Sequence, residues 1–557
     1  MARVFALGTY LPRFQPSAKV TVASDVRTEQ IVSALVGAGH EVRLCAATHY
    51  GRARGRRYLR LRNAQDPEYY ETNFFLSDQR DDLKRLAEEF RPDCIVAASQ
   101  WPSLVAVSLG LDLPVWCDLW GGAMSEAQAK AYVYKKNSFI NHFWGMERPV
   151  LERGDVFSTC STFQEHFVVG ELAVLGRLNR QSFGYKLART IPPGIPENEP
   201  EAPRGRALRG KVVDPDDFVI LWTGGYNTWT DIKTLFAGLE KVFRANKKAK
   251  FVSFGGCIEG HDDLTYTRFC RLVERSKFRK NYVLLGWRNL KDVLRAYRES
   301  DIGINIDKYH YELVFGTRTR LVQMIAYGLP VITTTGCELS YIIKNNGLGL
   351  TFDIGDAHGL ADALLKYGKD LKATRRHYST AALQHFREHY TYPKTCEPLL
   401  TWLKKPRRAP DSDSDKRPVL VVDSASRQEA QAPDHGLFAL ATEKLTKNDD
   451  EGAMCLLQAL ITICPDQNLM AYYHLGSLRK RQGDLKSALD LFRKAKAIAK
   501  REEQDGDSAL LGGISFHLGE CRLKMGHKRL AARDFRKCLE LIPEHKKASK
   551  YLENLGA

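Results

Sequence analysis

His310-Tyr-Glu-Leu-Val-Phe-Gly-Thr-Arg-Thr-Arg-Leu-Val-Gln-Met-Ile-Ala-Tyr-Gly-Leu-Pro-Val-Ile-Thr-Thr-Thr-Gly-Cys-Glu338 is the stretch on which the fold turns. Leu321, Met324, Ile325 and the small Ala326 give a helix one apolar side, Gly328 suits its C-terminal cap, and Pro330 blocks continuation. The helix is predicted to begin near Gly316 or Thr317 and to run into a short apolar strand. Its first turn leaves backbone N–H groups unpaired at the positive end of the helix dipole. Arg318 and Arg320 add permanently charged, fork-shaped donors suited to phosphate oxygens. The pattern predicts an anion at this helix start; a surface helix with solvated arginines is the competing reading.

Outward from this segment, short apolar runs alternate with helical patterns. Before it lie Phe218 to Trp222, Lys250 to Phe254, Tyr282 to Leu285 and Ile302 to Ile306; within and after it lie Pro330 to Thr333 and Leu348 to Phe352. An earlier series holds Val4 to Leu7, Val42 to Ala46, Cys94 to Ala98, Pro114 to Cys117, Val156 to Cys160 and Ala188 to Ile191. Such alternation predicts parallel sheets wound by helices, here two Rossmann-like units in series. Ile191-Pro-Pro-Gly-Ile-Pro196 lies between them and reads as a hinge over a cleft.

Beyond residue 403 the pattern changes. Lys404 to Asp434 is rich in Pro, Asp, Ser and Arg and reads as a linker. After it, Leu475-Gly476, Ala488, Phe492 and Ala495 recur as Leu518-Gly519, Ala531, Phe535 and Cys538, with Pro543 closing the unit. This resembles the tetratricopeptide repeat. A weaker copy has Leu440-Ala441, Ala453, Leu457, Leu460 and Pro465, and extra residues around Arg501 to Ala509 predict a longer helix or a loop. The expected domains are 1–195 and 196–403, both Rossmann-like, a flexible linker at 404–433, and an all-α repeat domain at 434–557.

With 557 residues, 44% hydrophobic and 27% charged, the chain has room for about three cores. No apolar run approaches the ~20 residues a bilayer requires, so a cytoplasmic protein is expected. The twelve cysteines are scattered, without zinc spacing, and no metal site is expected. A net charge of +17 calls for an acidic partner. Arg52, Arg54, Arg56, Arg57, Arg60 and Arg62 form a run without an acid, and Lys404-Lys-Pro-Arg-Arg408 forms another. No nucleic-acid reading module accompanies them, so peripheral contact with an anionic membrane at its inner face, through Arg52 to Arg62, is the expectation, against a merely solvated loop.

Gly39-His-Glu-Val42, Ile191-Pro-Pro-Gly194, Ala326-Tyr-Gly-Leu-Pro-Val-Ile-Thr333, Thr335-Gly-Cys-Glu-Leu339 and Asn346-Gly-Leu-Gly-Leu350 occur in this order. Together with the two tandem units they resemble GT-B glycosyltransferases, closest to the retaining family 4 group, over roughly residues 1 to 400. The resemblance implies a nucleotide-diphosphate-sugar donor, UDP- or GDP-linked, bound to the second unit and an acceptor bound to the first. It implies no further cofactor, and a glycan, lipid-linked or protein acceptor. The repeats suggest a protein partner. Phe218-Val-Ile-Leu-Trp-Thr-Gly-Gly-Tyr226 fits a strand ending in a turn where Gly224 and Gly225 let the backbone approach a phosphate.

The chain departs from that family where its chemistry lies. The usual two glutamates, separated by seven residues, fall on Phe315 and Gln323. Gln323 retains a ribose-binding capacity; Phe315 cannot replace an acid, and Glu312 is the nearest substitute, with a solvated carboxylate as the plainer reading. The basic residues expected after the Gly-Gly turn are replaced by Tyr226-Asn-Thr-Trp-Thr-Asp231. The combination resembles a divergent bacterial subgroup in which Arg-Thr-Arg takes the place of the acidic motif. Asp118, near Glu126, stands about where relatives carry a histidine beside the sugar; a helix cap is its competing role. Arg13 and Lys19 are weaker acceptor-side candidates. The catalytic candidates are thus Asp118, Glu312 and Arg318. The donor-binding candidates are Gly224, Gly225, Tyr226, Gly316, Thr317, Arg318, Arg320, Gln323 and Glu338. The resemblance implies retaining transfer without metal, and the missing acid pair leaves an inactive scaffold working through its repeats as the alternative.

Overall fold

A computed structural model describes residues 1–11, 22–47, 59–65, 67–72, 79–198, 200, 203–258, 262–412, 435–463, 468–501 and 508–556. Arg13, Lys19 and Arg52 to Arg57 lie outside the described residues. The chain divides into two compact units, Met1–Pro418 and Val419–Ala557.

The first unit holds two sheets. Eight strands, β1 (Arg3–Thr9), β2 (Glu41–Ala47), β3 (Leu59–Asn63), β4 (Glu68–Thr72), β5 (Cys94–Ala97), β6 (Val115–Leu119), β7 (Val156–Thr159) and β8 (Ala188–Thr190), are ordered β3-β4-β2-β1-β5-β6-β7-β8. All pair in parallel except β3 with β4. Six parallel strands form the second sheet: β9 (Phe218–Thr223), β10 (Ala249–Phe254), β11 (Tyr282–Gly286), β12 (Ile302–Asn305), β13 (Val331–Thr334) and β14 (Leu350–Phe352), ordered β11-β10-β9-β12-β13-β14. Apart from the edge strand β3, the sheets are covered on both faces. In β1, Phe5 and Leu7 join one core and Val4 and Ala6 another; in β9, Val219 and Leu221 oppose Phe218, Ile220 and Trp222. This is why these strands read as continuous apolar runs.

The expected strands are present, and the basic run yields an addition: Leu59–Asn63 is an antiparallel edge strand, with Arg62 paired to Glu71. Alternate exposed charges and a local pairing partner make a strand of what charge alone presents as a loop.

After the second sheet the chain returns to the first. Ile195 bridges Thr391 at the hinge, and Cys396, Leu399 and Trp402 enter the core that holds Val4, Ala6 and Trp116. The Trp116 and Trp402 rings lie 5.5 Å apart. Residues 404–412, expected to open a linker, are instead fixed on the first sheet's side. Arg177 and Asp411 form a bidentate, fully buried ion pair, and the Ala409 N–H donates to Asp155 at 2.7 Å.

The second unit is all helical: His435–Thr446, Asp450–Ile463, Leu469–Arg481, Leu485–Arg501, Ser508–Lys524, Lys528–Leu541 and Lys546–Asn554. The repeat signature explains its packing. A Cβ at Gly476 would sit 3.0 Å from Phe492, and one at Gly519 2.6 Å from Phe535, so the paired helices approach closely only because these positions are bare. No helix among the described residues is long and apolar enough to cross a membrane.

Candidate active site

The site lies at the carboxyl ends of the second sheet's strands, where a wound parallel sheet leaves its crevice. Strand β9 ends in Gly224, whose φ of +88° is left-handed, and the Gly224 N–H donates to Phe254 O at 2.7 Å. Strand β10 ends in Gly255, at φ +151°, where an added Cβ would fall 1.8 Å from Gly224 O. Two strand ends therefore meet backbone to backbone. The sequence reading named Gly224 and Gly225 but not Gly255, whose Gly255-Gly256 pair after an apolar run carried the same signal.

The helix read from the opening motif spans Thr319–Ala326, preceded by the short helix Tyr311–Phe315. Arg318, the residue before the second helix, and Arg320, in its first turn, point into different surroundings. Arg318 is buried: its Nε donates to Asp307 at 2.8 Å, its Nη2 to Glu312 at 3.0 Å, and its Nη1 to Thr317 O at 3.0 Å and Glu312 at 3.3 Å. Burial opposes its charge, but Asp307 and Glu312 more than offset this and raise its pKa. Arg318 is thus held by two carboxylates, which corrects its expected availability to a phosphate.

Arg320 is different. Its Nη2 donates to Gly225 O at 3.0 Å and its guanidinium lies 4.0 Å over the Trp222 ring. Its Nη1 is buried and has no hydrogen-bond partner among the described residues. Burial, aided by the Arg318 charge and opposed by Asp307, lowers its pKa to about 10, still cationic at neutral pH. A buried, unpaired charged donor costs free energy that a bound anion would recover.

A cavity of about 400 Å³ collects these groups, within the range of small-molecule sites. Gly224, Gly225, Glu312, Thr317, Arg318, Arg320 and Gln323 line it. Gln323 makes no side-chain hydrogen bond among the described residues. Residues the sequence reading did not name complete the wall, notably Trp120, Trp229, Trp287, Arg288 and Tyr297. Trp287 and Arg288 directly follow β11, the same strand-end signal that exposed Gly224. Burial pushes Glu312 up to about 8 against the pull of Arg318, with Asp307 and Glu126 adding repulsion. The reading of Glu312 as a solvated loop carboxylate is therefore replaced by a buried one on the cavity wall.

Four expected contacts stand off the wall. Tyr226 is fully buried, hydrogen-bonded to Ser253 at 2.8 Å and stacked 4.7 Å from Trp222, so it backs the platform under Arg320. Gly316 sits 2.6 Å, by its absent Cβ, from Glu312 O, leaving room for the Arg318 and Glu312 pair. Asp118 is fully buried and accepts from Arg27 Nη2 at 2.7 Å and Nε at 3.0 Å, from Ser158 Oγ at 2.7 Å and from the Ser99 N–H at 3.1 Å. These bonds fill its acceptor capacity and replace the expected sugar contact. Arg27 in turn lies 4.4 Å under the Trp120 ring, which does face the cavity. Glu338 accepts from the Thr162 N–H and Oγ1, both at 2.6 Å.

That last pair belongs to a clasp between the two halves. Ser161 Oγ donates to Phe315 O at 2.6 Å, and the Phe167 and Phe315 rings stack 4.6 Å apart. No cluster of three or more metal-ligating side chains occurs among the described residues.

Comparison with known proteins gives three matches to family models: a glycosyl transferase 4-like domain over residues 23–174, glycosyl transferases group 1 over 217–370, and a tetratricopeptide repeat over 467–544. No curated protein sequence matches the chain. Among solved structures, sucrose-phosphate synthase from Thermosynechococcus elongatus is 16% identical, with a TM-score of 0.55, covering 72% of this chain and 98% of that one. An E. coli structure described as trehalose-6-phosphate bound with UDP-2-fluoro glucose is 12% identical with a TM-score of 0.52, covering 73% and 100%. The Anabaena protein HepE in complex with UDP-glucose is 12% identical with a TM-score of 0.51, covering 72% and 100%.

Proposed function

We propose, from the premise that the chain belongs to the GT-B glycosyltransferases and carries a tetratricopeptide-repeat region, that its cavity binds a nucleoside diphosphate sugar and transfers the sugar with retention. The observation that carries this reading is the unpaired, buried Nη1 of Arg320 beside the Gly224-Gly225 turn. The diphosphate lies against that turn, Arg320 and the amino end of Thr319–Ala326; Gln323 takes a ribose hydroxyl, and the base lies toward Trp287 and Arg288. UDP- or GDP-sugars are the donors, in keeping with the uridine nucleotides of structures that share the fold.

The bond from C1 to the diphosphate oxygen breaks, its electron pair leaving with the diphosphate. A bond forms from C1 to an acceptor hydroxyl oxygen, and the hydroxyl proton passes to the departing phosphate on the same face. Arg320 stabilises the developing negative charge, and Glu312, held by Arg318, lines the sugar end. The carboxylates of the cavity wall, Glu126 and Glu312, face Lys130 and Arg318, which favours the phosphate as the base. The acceptor is a glycan, lipid-linked or protein substrate met in the cytoplasm, and the repeats recruit it or a partner protein.

One observation favours a second reading. Phe315, where relatives place the acid, is stacked into the clasp, which suits a scaffold that binds nucleotide without chemistry. A thermal-shift and hydrolysis panel of UDP-, GDP-, ADP- and dTDP-sugars separates the two. Stabilisation with slow release of free sugar supports the enzyme; stabilisation alone leaves the scaffold; no stabilisation by any of the four rejects both nucleotide readings.

A further inference from the structure

Both halves wall the sugar end of the cavity. Helix Ala123–Tyr134 of the first half packs against helix Tyr311–Phe315 of the second, and each brings one carboxylate to the cavity, Glu126 and Glu312. Burial raises the Glu312 pKa, and Glu126, like Asp307, is near enough for its charge to add to the rise. The cations that hold the two acids are occupied. Lys130 lies one helical turn from Glu126 at 3.6 Å and is buried beside the Phe139 and Phe143 rings, its Nζ 5.9 Å and 5.3 Å from their centres. Arg318 reaches the wall, but each of its three nitrogens already donates, to Asp307, Glu312 or Thr317 O. Trp229 lines the same end, its ring 5.9 Å from the Arg318 guanidinium.

From this arrangement we infer that Glu126 and Glu312, one from each half, select a donor whose sugar is a neutral hexose and reject the corresponding hexuronate. The inference rests on the donor-binding reading and deepens it by naming the class of sugar. A hexose and its uronate differ at one carbon, a hydroxymethyl group against a carboxylate. Hydroxyls donate to carboxylates, and Glu312 serves a hydroxyl whether or not it holds its own proton. A sugar carboxylate brings only acceptors and a like charge, to a wall where the adjacent guanidinium is already engaged; it would leave water without a donor to receive it and against the repulsion of Glu126. Trp229 offers apolar surface to the ring C–H groups of either sugar, so the acids and not the aromatic ring make the distinction. At the diphosphate end the unpartnered Arg320 Nη1 calls for an anion. One cavity thus sorts charge along its length, attraction at one end and repulsion at the other.

The test is isothermal titration calorimetry on the full chain at pH 9, above the Glu312 titration at about 8. The probes are UDP, UDP-glucose and UDP-glucuronate, or GDP, GDP-mannose and GDP-mannuronate where the guanine nucleotide is the one that binds. The wild-type chain should bind the hexose conjugate at least about tenfold more tightly than the uronate. Glu126→Gln, an isosteric change in a side chain 25% exposed, should narrow that gap to about threefold or less and leave affinity for the free nucleoside diphosphate as it was. Equal affinity for hexose and uronate in the wild-type chain, or an undiminished gap in Glu126→Gln, overturns the inference. The wild-type comparison decides even where the variant fails to fold. A chain that binds neither UDP nor GDP marks failure of the donor reading instead, so the two failures are distinguishable.

Discussion

Replacing Arg320 by alanine separates a ligand-binding arginine from a structural one. In the free protein the substitution removes one hydrogen bond, Nη2 to Gly225 O, and a guanidinium stacked 4.0 Å over Trp222. These contribute about 1 kcal/mol each. It also removes a buried donor without a partner, whose presence costs about 1–3 kcal/mol. The terms nearly cancel, so the melting temperature should move by no more than a degree or two. In the nucleotide complex the balance differs, because a charge-assisted hydrogen bond to phosphate contributes about 1.5–3 kcal/mol. Affinity for the stabilising nucleotide should therefore fall about 10- to 150-fold, read by isothermal titration calorimetry. Affinity equal to wild type in Arg320→Ala would refute the argument.

Arg318→Ala should behave in the opposite way. It strands Asp307 and Glu312 in the interior at a cost of about 3–5 kcal/mol, seen as a lower melting temperature without any nucleotide, and Glu312→Gln added to it should restore part of the loss. Gly255→Ala drives a Cβ into Gly224 O, so chemical denaturation should show about 2–5 kcal/mol of lost stability, with nucleotide binding lost alongside. Glu147 and Glu171 form a buried pair, with an unpartnered oxygen on each; desolvation raises both pKa values, mutual repulsion adds at Glu147, and Glu171 reaches about 8. Their protons are held more tightly folded than unfolded, so stability is greatest below the ordinary glutamate pKa and declines as pH rises through about 8. A Glu147→Gln, Glu171→Gln double variant should flatten the melting temperature between pH 5 and 9; an unchanged slope would exclude the pair as its source.

Much of the fold was legible because both sheets, β3 apart, are covered on two faces. Runs such as Phe218 to Trp222 and Val42 to Ala46 are continuously apolar, and only an interior strand suits them. Leu59–Asn63 was illegible for the converse reason: an edge strand half made of arginines looks like a loop until β4 is beside it. The site was legible in position but not in detail. Arg318 caps the helix that Arg320 has already entered; Asp307 and Glu312, 11 and 6 residues before Arg318, are folded back onto it and decide which guanidinium is neutralised. Asp118 follows the same logic, since its partner Arg27 lies 91 residues away in the chain. Sequence can nominate a charge, whereas its availability depends on contacts made at long range.

Phenylalanine at position 315 then has a physical reading. A carboxylate at position 315 would have to leave water inside the clasp, against the Phe167 and Tyr311 rings. Phenylalanine at that position instead joins the halves, and Glu312, an acid on the cavity wall, shares the Arg318 guanidinium with Asp307. Arg320 is left as a half-buried cation whose buried Nη1 is an unanswered donor. Under the proposed donor binding its missing partner arrives from outside as an anion, and a diphosphate lying against the bare Gly224-Gly225 backbone is the anion that the surrounding geometry fits.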